Sequence, residues 1–159
     1  MRDEEADGIR RIVVGVDGSD GAAWAVAWSA RLARATGAEV VAVHAIGTPI
    51  FLDGYPFGAG WVPDDQWLVA WKEWRERTHE ILEQQWCRAL AQAGVHYRAE
   101  TIEGGPKALI ELADADDADA IVVGRRGRGG FAELVLGSFS HHLVHHSRRP
   151  VVVVPPVEG

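Results

Sequence analysis

Two short stretches hold the residues best suited to chemistry. One is 122–140, where Gly124, Gly127, Gly137 and Ser138 are spaced Gly-x2-Gly-x9-Gly-Ser after an apolar run. Glycine has no Cβ, so backbone N–H groups in such a loop can approach a ligand closely. Ser138 opens a helical pattern, and a helix N-terminus presents unpaired N–H donors with a partial positive charge. Arg125, Arg126 and Arg128 add full charge to the same loop, and the guanidinium fork suits phosphate. The stretch reads as a phosphate cradle. Ser138 can contribute its hydroxyl and N–H, or serve simply as a helix cap. Phe139 N–H and Ser140 are further candidates. The second stretch is Asp17-Gly18-Ser19, after the apolar run 11–16. Asp17 has two readings: a turn former that caps the next helix, or a carboxylate that accepts from ribose hydroxyls or holds a metal through water.

Strands alternating with helices must position these stretches. Residues 11–16, 39–44, 97–102, 120–123 and 151–154 read as strands, several of them continuous β-branched runs of the kind buried on both faces. Between them, 22–36, 65–93, 107–115 and 138–146 carry helical spacing. Ser19 or Asp20 can cap the first helix, Gly37 and Gly94 suit helix ends, and Pro106 suits a helix start. Trp67, Trp71, Trp74, Thr78, Leu82, Gln85 and Ala89 form one stripe on the long second helix, with Trp71 and Trp74 expected to pack on the sheet. Such alternation gives an α/β, doubly wound parallel sheet with helices on both faces. Residues 1–9 read as a frayed polar tail and 10–156 as one domain.

Composition narrows the function. The chain has 159 residues, is 47% hydrophobic and carries a net charge of −7, so a broad basic surface for nucleic acid or anionic membrane is not expected. Cys87 is the single cysteine; it sits in a helical pattern and reads as a packing residue, and the chain as reducing-compartment, cytoplasmic and without a signal peptide or membrane span. No Gly-Lys-Ser/Thr follows a glycine loop, and no Gly-x-Gly-x-x-Gly follows the first strand, which argues against a P-loop ATPase, a kinase or a dehydrogenase.

The cradle spacing, together with Ile12-Val-Val-Gly-Val-Asp-Gly-Ser19, Val41-Ala-Val-His-Ala45 and Pro150-Val-Val-Val-Val154, resembles the universal stress protein family over nearly the whole chain. The resemblance implies a five-stranded, Rossmann-like sheet of the adenine nucleotide alpha hydrolase type, with strand order 3-2-1-4-5. That order brings Asp17 and Gly124 side by side at the topological switch point, where ligands bind. It also implies ATP with Mg²⁺ as ligand. Val16 and Val123 would then lie by the base or ribose, the Ala45 backbone would pair with the adenine edge, and Asp17 would meet nucleotide. Gly124, Arg125, Gly127, Arg128, Gly137, Ser138, Phe139 and Ser140 would surround the phosphates. Where family members often carry Ser-His, this chain has Arg125-Arg126; Arg125 either adds a charge-assisted contact or alters how the phosphates lie, and the first is expected. Family members commonly pair the last strand across a two-fold axis, so a homodimer through Val151, Val152, Val153 and Val154 is expected.

The resulting expectation is an ATP-binding, stress-response regulatory protein with no or very slow hydrolysis, because no general base stands at a recognisable spacing. The alternatives are a slow ATPase or nucleotidyl-type enzyme, a binder of another adenine nucleotide such as cyclic AMP, and a nucleotide-free dimeric interaction module. His141/His145 and His142/His146 are i, i+4 pairs, but a third ligand cannot be placed beside them, so no metal site is assigned. His44 reads as hydrogen-bonded core. Residues 47–64 form a long loop rich in proline, glycine and aromatics; Trp61 and Trp67 adjoin it as a lid or a partner contact.

Overall fold

The computed structural model describes residues 8–47, 64–127 and 136–156. Five parallel strands, β1 (Arg11–Gly15), β2 (Glu39–Ile46), β3 (Tyr97–Glu103), β4 (Ala120–Gly124) and β5 (Val151–Val154), form one sheet in the order β3-β2-β1-β4-β5. β1 is central, with Val14 opposite Ala42 on one side and Val122 on the other. The helices are α1 (Asp20–Thr36), α2 (Asp65–Ile81), α3 (Arg88–Ala93), α4 (Gly105–Ala115) and α5 (Ser138–His146). The expected architecture and strand order are both present.

Two apolar clusters cover the two faces of the sheet, and strand alternation sorts the residues between them. Ile12 and Val14 pack with Ala25, Val26, Ala30 and Ala33 of α1 and with Leu82 and Leu90. Val13, Val41, Val43 and Ile121 pack with Leu109 and Ala113 of α4 and Leu143 of α5. Local signals set the helix ends. Ser19 caps α1 by accepting from Ala22 N–H at 3.1 Å, and Gly37 and Gly94 end α1 and α3 in the left-handed region.

The stretch 65–93, expected as one regular helix, is interrupted. A single π turn spans Leu82–Trp86, closed by Cys87 N–H donating to Leu82 O at 2.9 Å. The added residue rotates the helix phase. Leu82, Cys87 and Leu90 face the core, while Gln85, assigned to the stripe by even spacing, is exposed. Cys87 is buried, and burial, with some help from Glu83, pushes its thiol up to about 11; it is the packing residue expected.

The tryptophans correct another expectation. Trp71 and Trp74 do not pack on the sheet: among the α2 residues only Thr78 is buried, and Trp74 is 44% exposed. The rings of Trp67, Trp71 and Trp74 stack on one another instead, at centroid spacings of 5.8 and 4.9 Å. Helical spacing brings i, i+4 and i, i+3 side chains together whether or not a sheet lies beneath them. Trp61 and most of the loop before it lie outside the described residues.

At the end of the sheet away from the glycine cradle, Arg98 of β3 binds Glu39, Glu100 and Asp116, and Arg11 also binds Glu39. Burial alone would raise the Glu39 carboxyl, but the hydrogen bonds and charges of Arg11 and Arg98 outweigh it and hold the carboxyl below its ordinary value. This network ties β1, β2 and β3 to the turn before β4, leaving the opposite ends of the strands for the site.

Candidate functional site

The carboxyl ends of β1, β2 and β4 open into a crevice of about 310 Å³. Its lining includes Val16, Asp17, Ala45, Val123, Gly124, Gly127, Gly137, Ser138, Phe139 and Ser140. Ten of the expected site residues thus meet in one place. Arg128 lies outside the described residues. Arg125 does not line the crevice: it faces an adjoining recess with Trp24, Val154 and Pro156, and Arg126 is the arginine that both spaces share. Arg125 N–H continues the β4 ladder by donating to Val154 O at 2.9 Å, and Arg126, next along the chain, lines both the recess and the crevice.

The floor of the crevice is built by close backbone approach. A Cβ on Gly124 would overlap the carbonyl of Gly21, and one on Gly21 would overlap the carbonyl oxygen of Arg126. A Cβ on Gly127 would overlap Asp17 Oδ2. The first turn of α1, the end of β4 and the Asp17 carboxylate are therefore in direct contact. Asp17 forms the turn but does not cap the helix, which Ser19 does: its Oδ1 accepts from Ser19 N–H at 2.9 Å and from Ser19 Oγ–H at 2.5 Å. Oδ2 lies on the Gly127 side, towards the crevice. The two sequence readings of Asp17 are thus compatible.

Gly137 N–H donates to Arg125 O at 2.9 Å, which joins the end of β4 to the start of α5. Gly137, not Ser138, is the N-cap of α5, in extended conformation and without a side-chain cap bond. Ser138 is the first helical residue and is exposed, so its hydroxyl is not spent on capping. Helix geometry leaves the N–H groups of Ser138, Phe139 and Ser140 without intrahelical acceptors. The Ser140 hydroxyl is buried and donates to Gly124 O at 2.8 Å. Its side chain ties α5 to β4, and only its N–H remains for a ligand.

The opposite wall is backbone. Val16 N–H donates to Val43 O at 2.8 Å, just beyond the last β1 residue. Peptide groups alternate sides along a strand, so Ala45 N–H and C=O face the same way as those of Val43. Ile46 O faces β3 and accepts from Gly104 N–H at 3.0 Å. Because β1 has already ended, Ala45 presents a donor and an acceptor towards the crevice with no strand opposite. His44 Nδ1–H donates to Val16 O at 2.7 Å, and its ring meets Trp86 edge-on at 5.2 Å. It is the hydrogen-bonded packing residue expected, though it also lines the crevice.

Sequence reasoning missed Gly15, Ser19, Ala22 and Val43 as lining residues, and had placed Arg126 only as charge in the cradle loop. The signal for Ser19 and Ala22 was the cap itself, since a capped helix starting at the switch point must present its first turn to the crevice. Val43 and His44 differ only in side, which strand period alone assigns once the central strand is known.

Among the described residues no helix is long and apolar enough to cross a membrane. A family model described as the universal stress protein family matches residues 8–155. A universal stress protein from Thermus aquaticus is 34% identical over 148 residues, covering 91% of this chain and 98% of that protein. Universal stress protein Slr1101 from Synechocystis is 35% identical over 102 residues, 64% of this chain and 94% of its own. A crystal structure of a universal stress protein in complex with cAMP superposes with a TM-score of 0.67 at 25% identity, covering 93% of this chain and 98% of that one. The match to the family model takes in every described strand and helix, and on that extent the chain belongs to the universal stress protein family.

Proposed function

We propose that the crevice binds an adenine nucleotide, ATP with Mg²⁺, and that the protein is a cytoplasmic stress-response regulator whose nucleotide state is read by a partner. The observation that carries this reading is the pairing of two complementary ends in one space. The Ala45 backbone offers one donor and one acceptor to a flat heterocycle edge, and the α5 N-terminus with Gly124, Gly127 and Arg126 offers donors and charge to phosphate. Asp17 sets its carboxylate at the wall of the crevice, with Oδ1 accepting from Ser19, and a carboxylate there suits a Mg²⁺ ion held through water beside phosphate oxygens. Hydrolysis is expected to be slow or nil. Among the described lining residues only Asp17 and His44 could take a proton, and Ser19 and Val16 already hold one atom of each. Cyclic AMP is the second reading, favoured by the cAMP-bound relative.

Calorimetric titration with ATP plus Mg²⁺ and with cyclic AMP tests both readings. Wild type should bind, and Gly137→Val with Ser138→Ala should bind at least about 100-fold more weakly, about 2.7 kcal/mol. Absence of binding by wild type overturns the nucleotide reading; tighter binding of cyclic AMP than of ATP selects the second.

The protein is also proposed to be a homodimer. β5 is an edge strand, and Val151, Val152 and Val153 are only partly covered. An apolar edge of this kind is an association surface. Light scattering at micromolar concentration should return twice the chain mass, and a monomer mass would remove this part of the proposal.

A further inference from the structure

The four histidines of α5 form two adjacent pairs, and the nucleotide crevice uses neither. The rings of His141 and His145 lie with centroids 4.3 Å apart, as do those of His142 and His146. His141, His145 and His146 are exposed and His142 is half-buried. We propose that each pair chelates one borderline transition-metal cation, of the Cu²⁺, Ni²⁺ and Zn²⁺ class, with water completing the coordination shell.

Geometry supports a two-imidazole chelate. Residues four apart share a helical face. Two metal–nitrogen bonds of about 2.0–2.1 Å at right angles need nitrogens only about 3 Å apart. Rings whose centroids are 4.3 Å apart are already close enough to share one ion. A two-imidazole chelate differs from the three-ligand site weighed from the sequence in leaving the other positions to water, since among the described residues no cluster of three or more histidine, cysteine or carboxylate groups offers a third ligand. Position supports it as well. His145 and His146 occupy the last turn of α5, where the helix macrodipole is negative and favours a cation. Of the two arginines that follow, Arg149 is paired with Asp114 and Asp117.

Imidazole nitrogen and open water positions select borderline ions over Mg²⁺ or Ca²⁺, which take oxygen ligands. Affinity should follow the Irving–Williams order, with Cu²⁺ tightest. Successive residues on a helix point about 100° apart, from the 3.6-residue turn. The pairs therefore face different directions and should hold separate ions.

Calorimetric titration of tag-free protein with Cu²⁺ and with Zn²⁺, in a buffer that does not chelate, tests the assignment. Wild type should take up two ions per chain, with Cu²⁺ bound at least about tenfold more tightly than Zn²⁺. His145→Gln should remove one ion, His146→Gln the other, and the double variant both. Imidazole NMR resonances of His141 and His142 in the same variants report the ion directly and show that α5 is intact. Uptake by the double variant equal to that of wild type would overturn the proposal, since His44, His79 or His96 would then be responsible. One ion per chain, lost in only one of the two single variants, would overturn the assignment of the other pair.

Discussion

Gly124→Ala should destabilise the protein by about 1–3 kcal/mol, the usual range for adding a methyl group where no space exists. The same substitution should weaken nucleotide binding by about tenfold or more, about 1.4 kcal/mol. The reason is steric and specific. The added Cβ meets the backbone carbonyl of Gly21, not a flexible side chain. Neither neighbour can rotate away: Gly21 is in the first turn of α1, and Gly124 is the last ladder residue of β4. Relief must come from moving α1 and β4 apart. That movement would also pull Arg126 O from Gly21, Gly127 from Asp17 and Ser140 Oγ from Gly124 O. Stability and affinity should therefore fall together, measured by urea denaturation and by calorimetry on one preparation. A fall in stability with unchanged affinity would show that the crevice tolerates a displaced floor. Unchanged stability would show that the backbone contact between α1 and β4 is not rigid.

Part of this contact was implicit in the residue types. A glycine at 124, closing an apolar strand, suggests close backbone approach, whereas its partner Gly21 is found only in the structure. Only the strand order says that the two approach each other, and that order came from a family resemblance, not from periodicity. The strands were legible because they are short β-branched runs between turn residues, and α5 and β5 fell where the pattern put them. The π turn was not legible, because even spacing through 78–89 gives no sign of an inserted residue. Its effect shows only when Leu90 is buried and Gln85 is not. The site divided in the same way. The helix start near 138 was legible but its cap was placed one residue late, on Ser138 instead of Gly137, and the Ala45 edge came from the family resemblance. The exchange of Arg125 for Arg126 at the crevice depends on the backbone path just past the end of β4, which residue types do not specify. Ser140, a candidate phosphate contact by position, is turned inward because the buried carbonyl of Gly124 needs a donor as β4 ends.

Trp86→Ala should lower stability by about 2–4 kcal/mol, at or below the range for a fully buried tryptophan because Trp86 is only partly covered. It should also weaken nucleotide binding by about tenfold, about 1.4 kcal/mol, although Trp86 is not among the crevice-lining residues. The π turn sets this residue over the turn that carries Asp17. Its indole lies against Gly18, where φ is +76° and a Cβ would stand 2.5 Å from ring carbons. Its ring also meets the imidazole of His44, which donates to Val16 O. Gly18 and His44 thus hold both sides of the Val16–Asp17 peptide, and Trp86 braces both. With the indole gone, the left-handed turn at Gly18 loses its cover and His44 loses its edge contact, so the Asp17 carboxylate is no longer fixed against Gly127. Trp86→Phe keeps an aromatic edge for His44 and should recover most of the affinity while recovering less of the stability. That split separates bracing from bulk packing: if affinity tracks stability in both variants, Trp86 acts only through the core, and if Trp86→Ala leaves affinity unchanged, the turn holds Asp17 without it.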